Sequence, residues 1–183
     1  MDGLLAGGGG EMATQFKIGD SVVCPSYGVG EVTAIEKRQI GGDAKPFYII
    51  QICDSNMKFM VPADGSSTAG VRTVVGTREV KEIFRILKTS GTSDKADRKR
   101  WTKRCRRYMD MLRSGSAHQV AEVLRDLLSL SGQKELSFAE KKILESARTM
   151  LVKELAIASE KPISAVNKAI DRIFCVKARD IPQ

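Results

Sequence analysis

Trp101-Thr102-Lys103-Arg104-Cys105-Arg106-Arg107-Tyr108-Met109-Asp110-Met111-Leu112 is the stretch that decides how this chain divides. Trp101, Cys105, Tyr108, Met109 and Leu112 fall at i, i+4, i+7, i+8 and i+11, the stripe of an α-helix with one face on a core. The positions between them are cationic: residues 98–107 carry seven Lys or Arg in ten, beside the chain's only tryptophan. Charge to hold a polyanion, next to a rigid aromatic that can stack or wedge, suits a nucleic-acid contact. The same residues allow a plainer arrangement, with Trp101 in a helical core and the cations solvated. Trp101 stands at the N-terminal end of its stripe, where a side chain can rest on the core and still show an indole edge. Partial exposure is the expectation.

Downstream the 3.6-residue period continues. Ser114-Gly115-Ser116 ends the first helix, and Ser116 with Gln119 reads as a capping box for the next, whose stripe is Val120, Val123, Leu124, Leu127 and Leu128. Ser131-Gly132-Gln133 breaks that helix. Ser137 with Glu140 reads as a second box, opening a long helix through Ile143, Leu144, Ala147, Leu151, Leu155 and Ala158. Pro162 starts a last helix with Ile163, Val166, Ile170, Ile173 and Phe174.

Upstream the pattern is different. Short β-rich runs alternate with turn residues over 16–75: a run at 21–24 stops at Pro25, 27–30 bends, and 31–36 alternates. Gly41-Gly42-Asp43 reads as a hairpin turn into 47–53, and Asp54-Ser55-Asn56 as a turn into 57–61, which stops at Pro62. Gly28 and Gly30 are expected at backbone angles that residues with a Cβ avoid. Thr77 reads as the cap of a short helix over about 78–87, with Val80, Ile83, Phe84 and Leu87 on one face, followed by a polar linker. The predicted fold class is α+β. A disordered extension covers 1–12, a small bent β-sheet or barrel domain 13–88, a linker 89–94, and an all-α helical bundle 95–183.

Charge separates the halves again. The chain has 30 Lys and Arg against 22 Asp and Glu; residues 1–93 hold 10 of each sign, while 94–183 hold 20 basic and 12 acidic. Residues 98–113 alone carry eight cations and one acid, Asp110. The expected partner is an anionic polymer met by the second half. Catalytic chemistry fares poorly. His118 is the only histidine and lies in a first helical turn, no Ser or Cys has a base near it in sequence, and Asp43, Asp54 and Asp64 stand in turns where Asp is ordinary. Neither enzymatic activity nor a cofactor or metal is expected. Cys24, Cys53, Cys105 and Cys175 form no C-x-x-C, which argues against zinc and fits a reducing cytoplasm. No apolar run approaches the ~18 residues of a membrane span, and the first residues lack the basic start of a signal peptide. A cytoplasmic monomer without a membrane partner is the expectation.

Phe16-Lys17-Ile18-Gly19-Asp20-Ser21-Val22-Val23-Cys24-Pro25, with Gly28-Val29-Gly30, Ala34-Ile35-Glu36, Val61-Pro62-Ala63 and Gly70-Val71-Arg72, resembles the start of the CarD/CdnL family of bacterial transcription regulators. In the second half, Trp101 through Tyr108, Gln119 through Leu127, Leu136-Ser137, Glu140-Lys141-Lys142, Ala147-Arg148 and Leu155-Ala156 resemble that family's helical domain. The first half is also similar to the polymerase-binding module of transcription-repair coupling factors. The resemblance implies a Tudor-like domain docked on the β subunit of RNA polymerase. It also implies a helical domain that touches promoter DNA at the upstream edge of the bubble and stabilises the open complex. Such a protein is nucleoid-associated through polymerase. DNA contacts are implied for Trp101, in the minor groove, and for Lys103, Arg104, Arg106 and Lys141; Arg38 is implied as a polymerase contact. A second polymerase contact is often a basic residue just before the Val-Pro, where this chain has Met60, so that contact is expected to be more apolar or differently arranged. Two other readings stay open. One is a free-standing nucleic-acid-binding protein using the β domain as a second platform, against which the absence of net positive charge over 16–75 counts. The other is an adaptor whose basic helix meets an acidic protein.

Overall fold

The computed structural model describes residues 15–25, 27–53, 57–63, 70–90 and 98–179. The first half is an open antiparallel sheet of β1 (Ser21–Cys24), β2 (Gly28–Ile40), β3 (Asp43–Ile52), β4 (Lys58–Pro62) and β5 (Arg72–Thr73), in the order β4-β3-β2-β1-β5. Of the sheet and the barrel, the open sheet forms, with β4 and β5 at its edges. The β2–β3 hairpin is its frame. Gly41 and Gly42 turn between paired Ile40 and Asp43 with φ of 66° and 95°, a tight turn whose twist matches the strands. The register shifts once between Val32 and Ala34, leaving Thr33 as the extra residue of a bulge. With one position inserted into a period of two, Val32 and Ile35 both face the same core.

That core is Phe16, Val22, Cys24, Val32, Tyr48, Ile50, Ile52 and Val61. Phe16 is pinned to it: its amide donates to Tyr48 Oη at 3.0 Å, and the two rings meet edge-on at 5.3 Å. Gly28 takes the expected positive φ, 91°. Gly30 serves another need, because a Cβ there would stand 2.7 Å from Ile50 Cγ2 and 2.8 Å from the Gln51 carbonyl oxygen. Space between strands, not backbone angle, excludes a side chain at that position.

Among the described residues five helices make the second half: α1 (Thr77–Lys88), α2 (Arg98–Arg113), α3 (Ala117–Ser131), α4 (Phe138–Ala158) and α5 (Ile163–Arg179). They share one core in which Ile83, Leu87, Leu124, Leu127, Leu151, Leu155 and Ile170 are fully buried. Each such side chain contributes ~1.5–3 kcal/mol on burial. Ser116 caps α3 by accepting from the Gln119 amide, and Ser137 with Glu140 closes a reciprocal box at the start of α4. For α1 the cap is Gly76 rather than Thr77; the Gly76 amide donates to Glu79 Oε2 at 2.9 Å.

Three further placements differ from the sequence reading. Met109 is 40% exposed, because the buried stripe of α2 centres on Cys105, Tyr108 and Leu112, and Met109 lies about 100° round from Tyr108. Ile163 is exposed at the first residue of α5. The buried face of α1 packs into the helical core with Val75, so this packing unit begins near Val75 and not after Lys88. The linker residues 91–94, the extension 1–12, Asp64 and the turn 54–56 lie outside the described residues. Among the described residues no helix is long and apolar enough to cross a membrane.

Candidate nucleic-acid and docking surfaces

With Cys105, Tyr108 and Leu112 turned to the core, α2 leaves Lys103, Arg106 and Arg107 exposed. Arg104 does otherwise. Its side chain is 15% exposed, and Nη2 lies 3.7 Å from Oε1 of Glu140, whose own side chain is 2% exposed. Lys134 Nζ reaches the same oxygen at 3.3 Å, and the Ser137 amide donates to Oε2 at 2.7 Å. Burial pushes the Glu140 carboxyl up, but the hydrogen bonds from Ser137 and the Lys134 ammonium outweigh it and hold the group below its ordinary 4.5. A buried carboxylate held in this way ties α2 to α4.

A second buried carboxylate ties α2 to α3. The Tyr108 hydroxyl donates to Asp126 Oδ2 at 3.3 Å. Arg125 donates to Asp126 Oδ1 through Nε at 3.0 Å and Nη2 at 2.7 Å, and its Nη1 reaches Thr89 Oγ1 at the end of α1 at 3.1 Å. Burial first, and the Asp126 charge second, push Tyr108 up to about 12, so it remains a donor at any physiological pH. The basic helix is thereby fixed at two points, one turn apart, on its buried side.

Of the DNA-contacting residues the resemblance implies, Lys103 and Arg106 face solvent on α2, while Arg104 is turned inward. Lys141 is exposed on α4, with Nζ 3.0 Å from Glu135 Oε1, a surface pair of little energetic weight. Trp101 lies in the first turn of α2, and its side chain falls outside the described residues. The sequence reading passes over Phe138, which opens α4 and is 85% exposed. Lys141 and Lys142 follow it at i+3 and i+4 and are exposed on the same side of the helix. Its signal was legible: an apolar residue that stands off the Ile143–Ala147 stripe.

The two polymerase candidates share one face of the sheet. Met60 pairs with Ile49, which pairs with Ala34, and Arg38 lies four residues further along β2. The pleat puts Arg38 and Met60 on the face opposite the Tyr48–Ile50 core, about 13 Å apart along the strands and about 10 Å across them. Both are exposed, Met60 at 48% on edge strand β4, while Arg38 pairs with Glu36 at 2.8 Å on the same face. The His118 ring lies 3.4 Å from Glu82 between α3 and α1, and no group of three or more metal-ligating side chains forms among the described residues.

Sheet and helices each match a known family. A model of the CarD-like/TRCF RID domain matches residues 16–75, and a model of the CarD C-terminal domain matches residues 82–171. Their order defines a CarD-like transcription regulator. YdeB of Bacillus subtilis (strain 168), named as a candidate transcription factor, is 32% identical over 142 residues, covering 78% of this chain and 91% of YdeB. The chain belongs to the CarD-like family.

Proposed function

We propose that the sheet docks on the β subunit of bacterial RNA polymerase and that α2 with the start of α4 holds promoter DNA at the upstream edge of the bubble, prolonging the open complex. The observation that carries this reading is the division of α2: Arg104 is committed to Glu140, while Lys103 and Arg106 face solvent from a helix fixed on its other side. Exposed cations on a fixed helix favour phosphate contacts that position DNA without choosing sequence. Trp101 is assigned to the nascent fork, where bases are half unstacked and wedging an indole costs less than in intact duplex. Docking through Arg38 and Met60 would raise the local concentration of these weak DNA contacts to about the millimolar range. No step of this needs catalysis by the chain.

The test is open-complex dissociation on a purified bacterial polymerase, challenged with competitor, with and without the full chain. A longer lifetime that disappears with Lys103→Gln/Arg106→Gln and with Met60→Glu is the expected result. An unchanged lifetime with the wild-type chain present would overturn the reading.

A further inference from the structure

Where the sheet meets the helices, one ion pair gathers four segments. Arg72, on the two-residue strand β5, donates from Nη1 and Nη2 to Oε1 and Oε2 of Glu154 on α4, the second bond at 2.9 Å. Its Nε donates to the Gly115 carbonyl in the α2–α3 turn at 2.7 Å. The Val75 amide, at the entry to α1, donates to Glu154 Oε1 at 3.2 Å. Glu154 is 4% exposed, so these bonds stand in place of its water. Beside them the α2–α3 turn closes on the sheet: a Cβ at Gly115, where φ is 72°, would stand 2.9 Å from Pro25 Cγ.

The chemistry of this cluster is directional. A guanidinium that forks onto both carboxylate oxygens fixes rotation as well as distance, and here its third donor is fixed too. Arg72 pairs with Val23 in the sheet register, so it stands on the same face of the sheet as Arg38 and Met60, at the opposite end. Helix α4, which carries Glu154, also carries Lys141 and binds Arg104 through Glu140. The pair therefore links the candidate docking face to the candidate DNA face through rigid elements.

We propose that Arg72 and Glu154 are positioning residues that hold the DNA-facing helices at a fixed angle to the docking sheet, so that one bound chain engages polymerase and promoter together. This rests on the function proposed above. A tether raises effective concentration only when its geometry permits both contacts, and a looser joint spreads the DNA-facing surface over a larger volume. Binding to polymerase alone, or to DNA alone, does not need the angle. Simultaneous engagement does.

The full chain tests this with its own thiols. Cys53 on the sheet side and Cys175 on α5 are exposed, so spin labels placed there, in a Cys105→Ser background, report the angle as a distance distribution. Arg72→Lys keeps the charge and loses the fork; Glu154→Gln keeps the shape and loses the charge. Each should broaden the distribution and shorten the added open-complex lifetime by about tenfold, while affinity for polymerase and for duplex DNA, measured separately, changes less than about twofold. If Arg72→Lys fails to fold, Glu154→Gln carries the same test. An unbroadened distribution in a folded variant overturns the joint. A broadened distribution with full added lifetime overturns its role in positioning. Should the wild-type chain itself fail to lengthen open complexes, the function proposed above falls, and the distance measurement still decides whether the joint exists.

Discussion

The sheet half and the helical half use charge in opposite ways. Residues 1–93 hold equal numbers of basic and acidic side chains, and the exposed candidate Arg38 on the sheet is already paired with Glu36. Residues 94–183, which hold α2 to α5, carry the full +8 and sort their cations by depth. Arg104 and Arg125 are spent on buried carboxylates, Glu140 and Asp126, while Lys103, Arg106 and Arg107 stay in solvent. A run of basic residues is therefore two populations. The inward members set where the helix lies, and the outward members are available to a polyanion.

The sharpest way to break this comparison is to remove one member of the inward population. Arg104→Ala leaves Glu140 buried with Lys134 as its remaining cation among the described side chains and should cost on the order of 3 kcal/mol. That is a fall in Tm of roughly 6–12 °C at this chain length, read by thermal unfolding. An Arg104→Ala protein with unchanged Tm and a weaker salt dependence of DNA binding would place Arg104 among the outward cations. On the sheet side, Met60→Glu puts a carboxylate on exposed edge strand β4, and Arg38→Glu reverses a charge on the same face. Each should weaken polymerase affinity about tenfold, or about 1.4 kcal/mol, without changing DNA affinity, as titration with fluorescent polymerase would read.

Smaller effects sharpen it further. The native carboxyl of Glu140 sits below 4.5, so its contribution to stability is complete above that pH and is lost as pH falls through the native value. Glu140→Gln should flatten the acid limb of stability below about pH 4.5, and urea titrations across that limb would show it. Smallest in stability is Lys103→Gln with Arg106→Gln, which should change folding by about 0.5 kcal/mol or less. Its effect belongs to binding: the slope of log K against log salt should become shallower by about 1.8, or about 0.9 for each phosphate that the helix no longer neutralises.

What the sequence made legible follows from what is local. Capping serines, the turn at Gly41-Gly42, and the α3 and α4 stripes depend on residues within a few positions of each other, and the structure forms them, except that Ser116 caps α3 without a box: its amide donates to Ser114 Oγ at 3.1 Å rather than to Gln119. Depth along α2 was not local. Arg104 and Lys103 are neighbours of like charge, and only the arrival of Glu140, 36 residues later, sends one inward. The same holds for Arg72 and Glu154, which are 82 residues apart. The boundary between the halves was misleading for a related reason: the polar stretch after Lys88 reads as a linker, while the packing of Val80, Ile83 and Leu87 puts α1 with the helices. Composition marks where chain is exposed, and packing marks where a unit ends.

The central claim, that α2 holds promoter DNA while the sheet holds polymerase, meets its most direct test at Trp101. The measurement pairs thermal melting of Trp101→Ala with the lifetime of open complexes on purified polymerase. If the indole acts at the fork, melting should fall by no more than about 1–2 kcal/mol in stability. Polymerase affinity should hold, most of the added lifetime should vanish, and Trp101→Phe should restore part of it. A loss nearer 3–5 kcal/mol would mark the indole as core packing instead. A well-folded Trp101→Ala chain that prolongs open complexes as fully as the wild type would contradict the account.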